Sequence, residues 1–224
     1  MKDRQRHEEL EMKVLDQMRR CRILDHLVFG GGTMLRLCFD LPRYSVDLDF
    51  YLIKERKSFL PWAKKLSQAL KEMGAELTDE QEKHFSFLWE IRMPSYPQRL
   101  KIEARKSPEE SQESELGIAH SSFSSMQVRL RTLTLKQMWR NKVAALIDRQ
   151  EIRDAYDLEF LTRRQAGVFE SLPPEVLKKI LKSLDFFSTQ DFKTKLGGIL
   201  EKEERERVVS SRFSYLRSKA EALL

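Results

Sequence analysis

The sequence is poor in cysteine and histidine. Its two cysteines, Cys21 and Cys38, lie among apolar residues of predicted helices, so we expect free, buried thiols. Two such distant cysteines exclude a disulfide framework and a zinc-binding cysteine motif. The four histidines (7, 26, 84 and 120) are scattered along the chain, which argues against a histidine-based metal site.

Long hydrophobic runs, internal repeats and a signal peptide are also missing. No apolar run approaches the roughly 18 residues that cross a membrane. The first residues are charged and have a helical pattern, without the apolar core of a secretory signal. We therefore expect a protein of the reducing cytoplasm with no membrane partner.

Positive charge is what the sequence has in excess. Lysine and arginine number 41 against 35 acidic residues, giving a net charge of +6 over 224 residues. This excess favours a polyanionic partner, such as nucleic acid or a nucleotide. The hydrophobic content of 41% is sufficient for a core in one large domain or two small ones.

A glycine turn follows a short apolar strand near residue 30. Leu27–Phe29 are predicted to end a buried strand, and Gly30, Gly31 and Gly32 permit a tight turn with close approach to a ligand. Thr33 is predicted to begin an amphipathic helix that stops at Pro42. The free N–H groups of a helix start after such a turn are suited to phosphate.

The next segment, residues 46–52, alternates apolar and polar residues. Alternation predicts a strand with Asp47, Asp49 and Tyr51 on one face. Two carboxylates on one strand face repel each other, and they can converge on one cation or on two cations about 4 Å apart. The alternative is a solvated strand face, but the glycine turn upstream, with Arg43 and Ser45, favours a metal site.

The remaining pattern predicts two halves. We assign an α/β domain to residues 1–132 and a helical domain to residues 133–224. The first half has predicted helices at 3–24 and 59–73, a hairpin of strands 85–93 and 100–105, a polar loop at 106–115 and a short strand at 123–131. The second half has predicted helices at 134–149, at 151–164, from Pro173 onward, near 189–200 and within 201–224. Thr134 and Gln137 fit a capping box at the start of the first of these helices.

Glu103 is a candidate third carboxylate. It lies on the polar side of strand 100–105 with Lys101 and Arg105. If this strand neighbours strand 46–52, Glu103 can approach Asp47 and Asp49 and bind a metal ion or take a proton from an attacking hydroxyl. Alternatively, Glu103 is a surface residue that forms cross-strand ion pairs.

The helical half contains a candidate lysine–carboxylate pair. Lys142 and Asp157 are too far apart for one helix turn, but they can meet across a helix–turn–helix. A lysine that points into a cleft can act as a point charge on phosphate oxygens. Asp154 is a second candidate acid, and by periodicity alone all three are ordinary helix charges.

Together these segments resemble the AbiEii/AbiGii toxin family of nucleotidyltransferases, to which the related MenT toxins are similar. The resemblance rests on Gly31–Leu37 and Arg43–Phe50, with strand Leu100–Arg105, Lys142 and the segment Arg153–Leu158 in the family's order. It covers roughly residues 25–165. Gly30, Leu35 and Arg36 depart from the Lys before the glycines and the Ser-Lys after the threonine that many members carry.

The resemblance implies an α+β, polymerase-beta-like nucleotidyltransferase fold, with a small mixed sheet flanked by helices and a C-terminal helical domain that closes the cleft. It implies a toxin of a two-gene toxin–antitoxin system that adds nucleotides to an RNA acceptor such as the tRNA 3′ end, in phage defence. The implied partners are an NTP, the RNA and a cognate antitoxin, with Mg²⁺ or Mn²⁺ as the cofactor. The implied nucleotide-binding residues are Gly31, Gly32, Thr33, Arg43 and Ser45. The implied metal-binding residues are Asp47, Asp49 and Glu103. The implied catalytic residues are Asp47, Asp49, Glu103, Lys142 and Asp157.

Two other functions remain open from the sequence. A small-molecule nucleotidyltransferase of the antibiotic-modifying kind would have an enclosed acidic pocket, whereas an RNA-modifying enzyme would have a basic surface around its cleft. A non-catalytic binding protein on the same fold is the third possibility, and the presence of Asp47, Asp49 and Glu103 argues against it.

Overall fold

The computed structural model describes residues 2–54, 56–106, 112–164 and 169–224. The chain forms two compact units. The first contains Met1–Asp40 and Tyr44–Leu133, and the second contains Leu41–Arg43 and Thr134–Leu224. The centre of the predicted polar loop, residues 107–111, lies outside the described residues. In the part of the chain that is described, no helix is both long enough and apolar enough to span a membrane.

The first unit is built on a mixed sheet. Its strands follow the order β3-β4-β5-β2-β1-β7-β6. The β1–β7 and β2–β5 pairs are parallel, and the other neighbouring pairs are antiparallel. The bounds are β1 Leu27–Gly30, β2 Asp47–Leu52, β3 Glu76–Glu82, β4 Ser86–Arg92, β5 Leu100–Arg105, β6 Ser114–Ser121 and β7 Ser124–Leu133.

Three helices accompany the sheet: α1 Lys2–Arg20, α2 Gly31–Phe39 and α3 Arg56–Glu72. Helix α1 packs on β7 and β6, α2 packs on β2 and β6, and α3 packs on β3 and β4. An apolar stripe of α1 at helical spacing is fully buried, which explains why this charged segment is helical. The residues of that stripe are Leu10, Val14, Leu15 and Met18. The predicted α+β class with helices flanking a mixed sheet is confirmed.

Alternation along β2 separates the two faces of the sheet as predicted. Leu48, Phe50 and Leu52 are buried, whereas Asp47, Asp49 and Tyr51 on the other face are half-buried. The predicted hairpin of β4 and β5 is also present. One face of the sheet therefore belongs to the core, and the other leaves β2's acidic side chains partly accessible.

Two strands differ from the sequence prediction. β3 was not predicted because Glu76–Glu82 is acidic and has low strand propensity; it forms by pairing along β4. β6 begins at Ser114, inside the predicted polar loop, and pairs with β7. β7, in turn, starts and ends close to the predicted strand at 123–131.

The second unit is helical over its described residues. Its helices are α4 Leu135–Arg149, α5 Ile152–Arg164, α6 Pro174–Asp185, α7 Lys202–Ser211 and α8 Ser214–Glu221. Thr134 caps α4 by accepting a hydrogen bond from the Gln137 N–H at 3.1 Å. The Gln137 side chain also donates a hydrogen bond to Asn141 Oδ1 at 3.0 Å, one turn further along the helix.

The segment predicted as a helix near 189–200 is helical, and Ser188 and Asp191 exchange hydrogen bonds at its start. It is not a regular α-helix, because it contains a π-helix at Asp191–Leu196 and a 3-10 turn at Gly197–Ile199. The segment 201–224 is two helices, because Arg212 and Phe213 adopt positive φ values of 45° and 59° between α7 and α8.

Candidate active site

The pairing of β2 with β5 brings the predicted acids together. The two strands are parallel neighbours, with Asp49 opposite Glu103 and Asp47 opposite Lys101. Residues directly opposite each other in a sheet point to the same face. Asp47, Asp49 and Glu103 therefore share one face, which meets the condition on which the role of Glu103 depended.

The glycine turn lies against the second acid of the pair. Gly30 is opposite Asp49 in the β1–β2 ladder, and Gly31 follows with a φ of +75°. A Cβ on Gly31 would lie 2.3 Å from Asp49 Oδ2, so any other residue there would collide with the carboxylate. Only glycine combines this left-handed backbone with room for Asp49.

Helix α2 begins at Gly31, two residues before the predicted start at Thr33. The first-turn N–H groups of Gly31, Gly32 and Thr33 are therefore at the start of the helix, beside the acids. The Thr33 hydroxyl is buried and donates to the Asp47 carbonyl oxygen at 2.6 Å. This bond joins the start of α2 to the start of β2, so the Thr33 hydroxyl is engaged within the protein.

Glu103 is held by a lysine of its own strand. Lys101 Nζ lies 3.0 Å from Glu103 Oε2, two residues away, instead of in the cross-strand pair considered as an alternative. Burial alone would raise the pKa of Glu103, but hydrogen bonds from Lys101 and Ser86 lower it. Burial alone would lower the pKa of Lys101, but Glu103, Asp47 and Asp49 raise it. This face therefore contains three carboxylates and one ammonium group.

Helix α1 supports this face with three polar residues that the sequence interpretation missed. His7 and Glu11 are buried one helical turn apart, and His7 Nε2 lies 3.0 Å from the Val46 carbonyl oxygen. Burial raises the pKa of Glu11 well above its ordinary value. Glu8 accepts hydrogen bonds from Arg36 of α2 at 3.0 Å and from Ser121 at 2.6 Å. In the sequence, the i,i+4 spacing of His7 and Glu11 was the one feature that could have indicated this polar group.

The helical unit contains a buried ion network. Arg43 donates two hydrogen bonds to Asp157, at 2.6 and 2.7 Å, and Lys142 Nζ lies 2.7 Å from the same carboxylate. Lys142 also lies 2.9 Å from Asp154, which Arg149 contacts at 2.7 Å. Lys142 and Asp157 thus meet across α4 and α5, as predicted, and both candidate acids belong to the network.

Positive partners keep both carboxylates of this network ionised. Asp154 and Asp157 are fully buried. Burial alone would raise the pKa of each, but Lys142 lowers both, with Arg43 acting on Asp157 and Arg149 on Asp154. Arg149 was not predicted, although its position at the end of α4 is typical of a helix-terminal arginine.

The predicted residues thus form two groups, each within its own unit. Gly31, Gly32, Thr33, Asp47, Asp49 and Glu103 come together in the first; Arg43, Lys142 and Asp157 come together in the second. Ser45 is half-buried just before β2. Over the residues that the structure describes, no three His, Cys, Asp or Glu side chains converge closely enough to hold a metal ion.

The sequence also matches a known family over nearly its whole length. A family model for the nucleotidyl transferase AbiEii toxin of type IV toxin–antitoxin systems matches residues 13–219. The chain belongs to the AbiEii family. It is accordingly a nucleotidyltransferase and a toxin of a type IV toxin–antitoxin system, as the resemblance implied. Comparison with curated protein sequences gave no match.

Solved structures share the fold of this AbiEii chain. MenT4, a nucleotidyltransferase toxin from Mycobacterium tuberculosis, matches with a TM-score of 0.56 and 19% identity over 93% of this chain and 85% of its own. JHP933 from Helicobacter pylori matches with a TM-score of 0.55 and 20% identity over 99% and 95%. A candidate nucleotidyltransferase from H. pylori matches at 0.54 and 19% over 96% and 97%. At these identities the likeness establishes the fold alone.

Proposed function

We propose that the protein transfers a nucleoside monophosphate from an NTP to the 3′ end of an RNA, with tRNA as the acceptor. The observation that supports this most directly is the shared face of β2 and β5. It combines three carboxylates with a glycine turn and the start of a helix. Nucleotidyl transfer needs positioning of a triphosphate and control of negative charge, and these are the groups that supply both.

Asp47 and Asp49 are the residues that would hold Mg²⁺ or Mn²⁺. Hard divalent cations prefer carboxylate oxygens, and the Asp49 carboxylate lies where a side chain on Gly31 would otherwise be. Glu103 would complete the set once its ion pair with Lys101 is broken. When bound there, the metal supplies charge neutralisation for the α-phosphate and for the leaving pyrophosphate.

The other groups of this face bind and orient the substrates. The N–H groups of Gly31, Gly32 and Thr33 would donate to phosphate oxygens at the start of α2. Glu103, which Lys101 keeps ionised, would accept the proton of the acceptor 3′-hydroxyl. The 3′ oxygen then forms a bond to the α-phosphorus, the bond between the α-phosphorus and the bridging oxygen breaks, and pyrophosphate leaves.

The roles implied for Ser45, Arg43, Lys142 and Asp157 toward the nucleotide are part of the same proposal. Ser45 would donate to a phosphate oxygen from its position just before β2. Lys142 is a point charge of the type that binds phosphate. In the helical unit, however, it already contacts two carboxylates, and Arg43 contacts one of them. We propose that Arg43 and Asp157 hold Lys142 in position.

An RNA acceptor agrees with the net charge of +6 better than a cationic small molecule does. As a toxin of a toxin–antitoxin system, the protein would act in the cytoplasm, where tRNA is found, and a cognate antitoxin would restrain it. Phage defence is the biological setting that we propose for this pair.

The test is transfer of label to RNA. Purified protein is incubated with total tRNA, Mg²⁺ and each α-labelled NTP in turn, beside Asp47→Asn/Asp49→Asn, which preserves side-chain volume. We expect wild type to label tRNA with at least one NTP, and the double variant to label none. Activity should disappear with EDTA and return with Mg²⁺ or Mn²⁺.

A matched control is Asp79→Asn/Glu115→Gln, which removes one half-buried and one exposed strand carboxylate outside the proposed site. It should label tRNA as wild type does. If Asp47→Asn/Asp49→Asn retained full transfer, the proposed site would be wrong. If wild type labelled an aminoglycoside but no RNA, the small-molecule alternative would replace the RNA acceptor.

A further inference from the structure

The sheet face that carries the acids continues beyond β2, across β1 and β7 to β6. Tyr51 on this face is opposite Val28 of β1, and Phe29, next to Val28, is opposite Thr132 of β7. Strand alternation therefore puts Arg131 on the face of Tyr51 and the acids. Arg131 and the proposed catalytic carboxylates therefore lie on one face of the sheet, with the buried Val28 of β1 between them.

The hairpin gives this surface a positive end. Arg131 is opposite Leu116, and Arg129 is opposite Ile118, so the four side chains form one patch, here called the hairpin face. Both arginines are exposed, and among the described residues neither has a hydrogen bond or an ion pair. Two exposed, neighbouring guanidinium groups provide a site for an anionic partner.

The apolar half of the hairpin face is also unusual. Leu116 and Ile118 are 60% and 53% exposed on a strand at the edge of the sheet. The opposite side of the same hairpin is packed, with Ala119, Val128 and Leu130 buried, so folding does not require large apolar residues at 116 and 118. The two neighbouring arginines can contact phosphates, and the aliphatic side chains can contact the apolar parts of nucleosides.

We propose that the hairpin face binds the single-stranded part of the acceptor RNA, a few nucleotides before its reacting 3′ end. This inference rests on the proposed function. Two strand spacings separate β7 from β2, about 10 Å, so RNA on the arginines can still reach the acids with its terminal nucleotide. Arg129 and Arg131 are two residues apart, roughly 6–7 Å, and can contact neighbouring phosphates.

Several features favour RNA over a protein partner or a second copy of the chain. The hairpin face lies on the same side of the sheet as the proposed catalytic acids, so an RNA bound there can place its 3′ end at them. Arg105 extends the positive charge along the same face, 5.9 Å above the Tyr51 ring. The partner that fits is therefore an extended polyanion that ends at β2.

The test compares RNA affinity and nucleotidyl transfer in Arg129→Gln/Arg131→Gln. Binding of a short fluorescent single-stranded RNA is measured between about 50 and 200 mM salt. We expect roughly tenfold weaker binding at the low salt concentration. The slope of log K against log salt should fall by about 1.4, since each phosphate contact on a single strand contributes about 0.7. Transfer should show a raised KM for tRNA and an unchanged KM for the NTP.

Two further variants control this comparison. Lys64→Gln/Lys71→Gln removes the same charge from the exposed side of α3, which packs on β3 and β4, and should change neither the salt slope nor the KM for tRNA. Leu116→Thr/Ile118→Thr keeps strand propensity and should weaken RNA binding without changing the salt slope. Circular dichroism and urea unfolding of each variant establish that it is folded.

The outcomes separate this inference from the proposed function. If wild type labels tRNA and Arg129→Gln/Arg131→Gln binds and labels RNA equally well, the hairpin face is not the acceptor surface, although the enzyme is still an RNA nucleotidyltransferase. If wild type neither binds nor labels RNA, both fail. If Leu116→Thr/Ile118→Thr converts a wild-type dimer to a monomer in light scattering and leaves RNA affinity unchanged, the face is an interface between copies instead.

Discussion

Gly31 is the residue whose identity is most tightly constrained by the site. It combines a φ of +75° with an Asp49 oxygen 2.3 Å from the position of a Cβ. The sequence predicted a close approach of backbone to ligand at this turn. What the structure adds is that the carboxylate of Asp49, the proposed metal ligand, occupies the same space, a tertiary contact that local sequence does not encode.

We expect Gly31→Ala to lower nucleotidyl transfer by about 100-fold, because the methyl group would displace Asp49 by an ångström or more. The left-handed backbone would add a stability loss of about 1–2 kcal/mol. Gly74→Ala is the matched control: Gly74 has a φ of +82° and open space around the Cβ position. It should lose similar stability in urea unfolding and retain full activity; equal activity losses in both variants would contradict this interpretation.

Asp157 is the residue on which the ion network of the helical unit depends. Lys142 contacts it from the preceding helix α4, whereas Arg43 contacts it from a distant part of the sequence. The sequence left a contact with Lys142 possible across a helix–turn–helix, beside the alternative of ordinary helix charges. The contact with Arg43 was missed, because Arg43 lies 114 positions away and was assigned to nucleotide binding.

Asp157→Asn should destabilise the protein by about 3–5 kcal/mol in urea unfolding at neutral pH, because it leaves Arg43 and Lys142 buried without full compensation. The lowered pKa of Asp157 means that its contribution is complete above the unfolded value of about 3.9 and is lost as the pH falls through the folded value. The free energy of unfolding of wild type should therefore fall more steeply below pH 4 than that of Asp157→Asn. Parallel pH profiles would show that Asp157 is not ionised in the folded protein.

At the scale of elements, predictions from periodicity and from caps succeeded where the element buries a regular face. Strands β2, β4 and β5 alternate clearly, and α4 has a threonine cap. An element stabilised mainly by its neighbour was missed: β3 is an acidic edge strand paired to β4. The segment near 189–200 is helical as predicted, but periodicity did not indicate that Asp191–Leu196 is a π-helix.

The cap of α4 gives a direct test of this view. Thr134→Ala should lower the free energy of unfolding by about 1 kcal/mol, because the Gln137 N–H loses its acceptor. Thr134→Ser keeps the hydroxyl and should stay within about 0.5 kcal/mol of wild type. Urea unfolding followed by far-ultraviolet circular dichroism measures both. Equal losses in the two variants would mean that packing of the threonine methyl group, and not the cap, stabilises this end.

At the scale of the whole molecule, two short motifs predicted the family, and the family match over residues 13–219 confirmed it. The division of the site residues was harder to foresee. Leu41–Arg43 belong to the helical unit, although the chain on both sides of them belongs to the first. These three residues belong to the helical unit because Arg43 is buried there with Asp157. The composition of the sequence does not indicate this assignment.

Nucleotidyl transfer by the Asp47–Asp49 face is tested most directly with one NTP labelled at either the α- or the γ-phosphate. Wild-type protein, tRNA and Mg²⁺ should give RNA that carries the α-label alone, with the γ-label recovered in pyrophosphate. Asp47→Asn/Asp49→Asn should give neither. Entry of the γ-label into RNA would mean phosphoryl transfer instead of nucleotidyl transfer, and α-label transfer by the double variant would exclude these aspartates from the reaction.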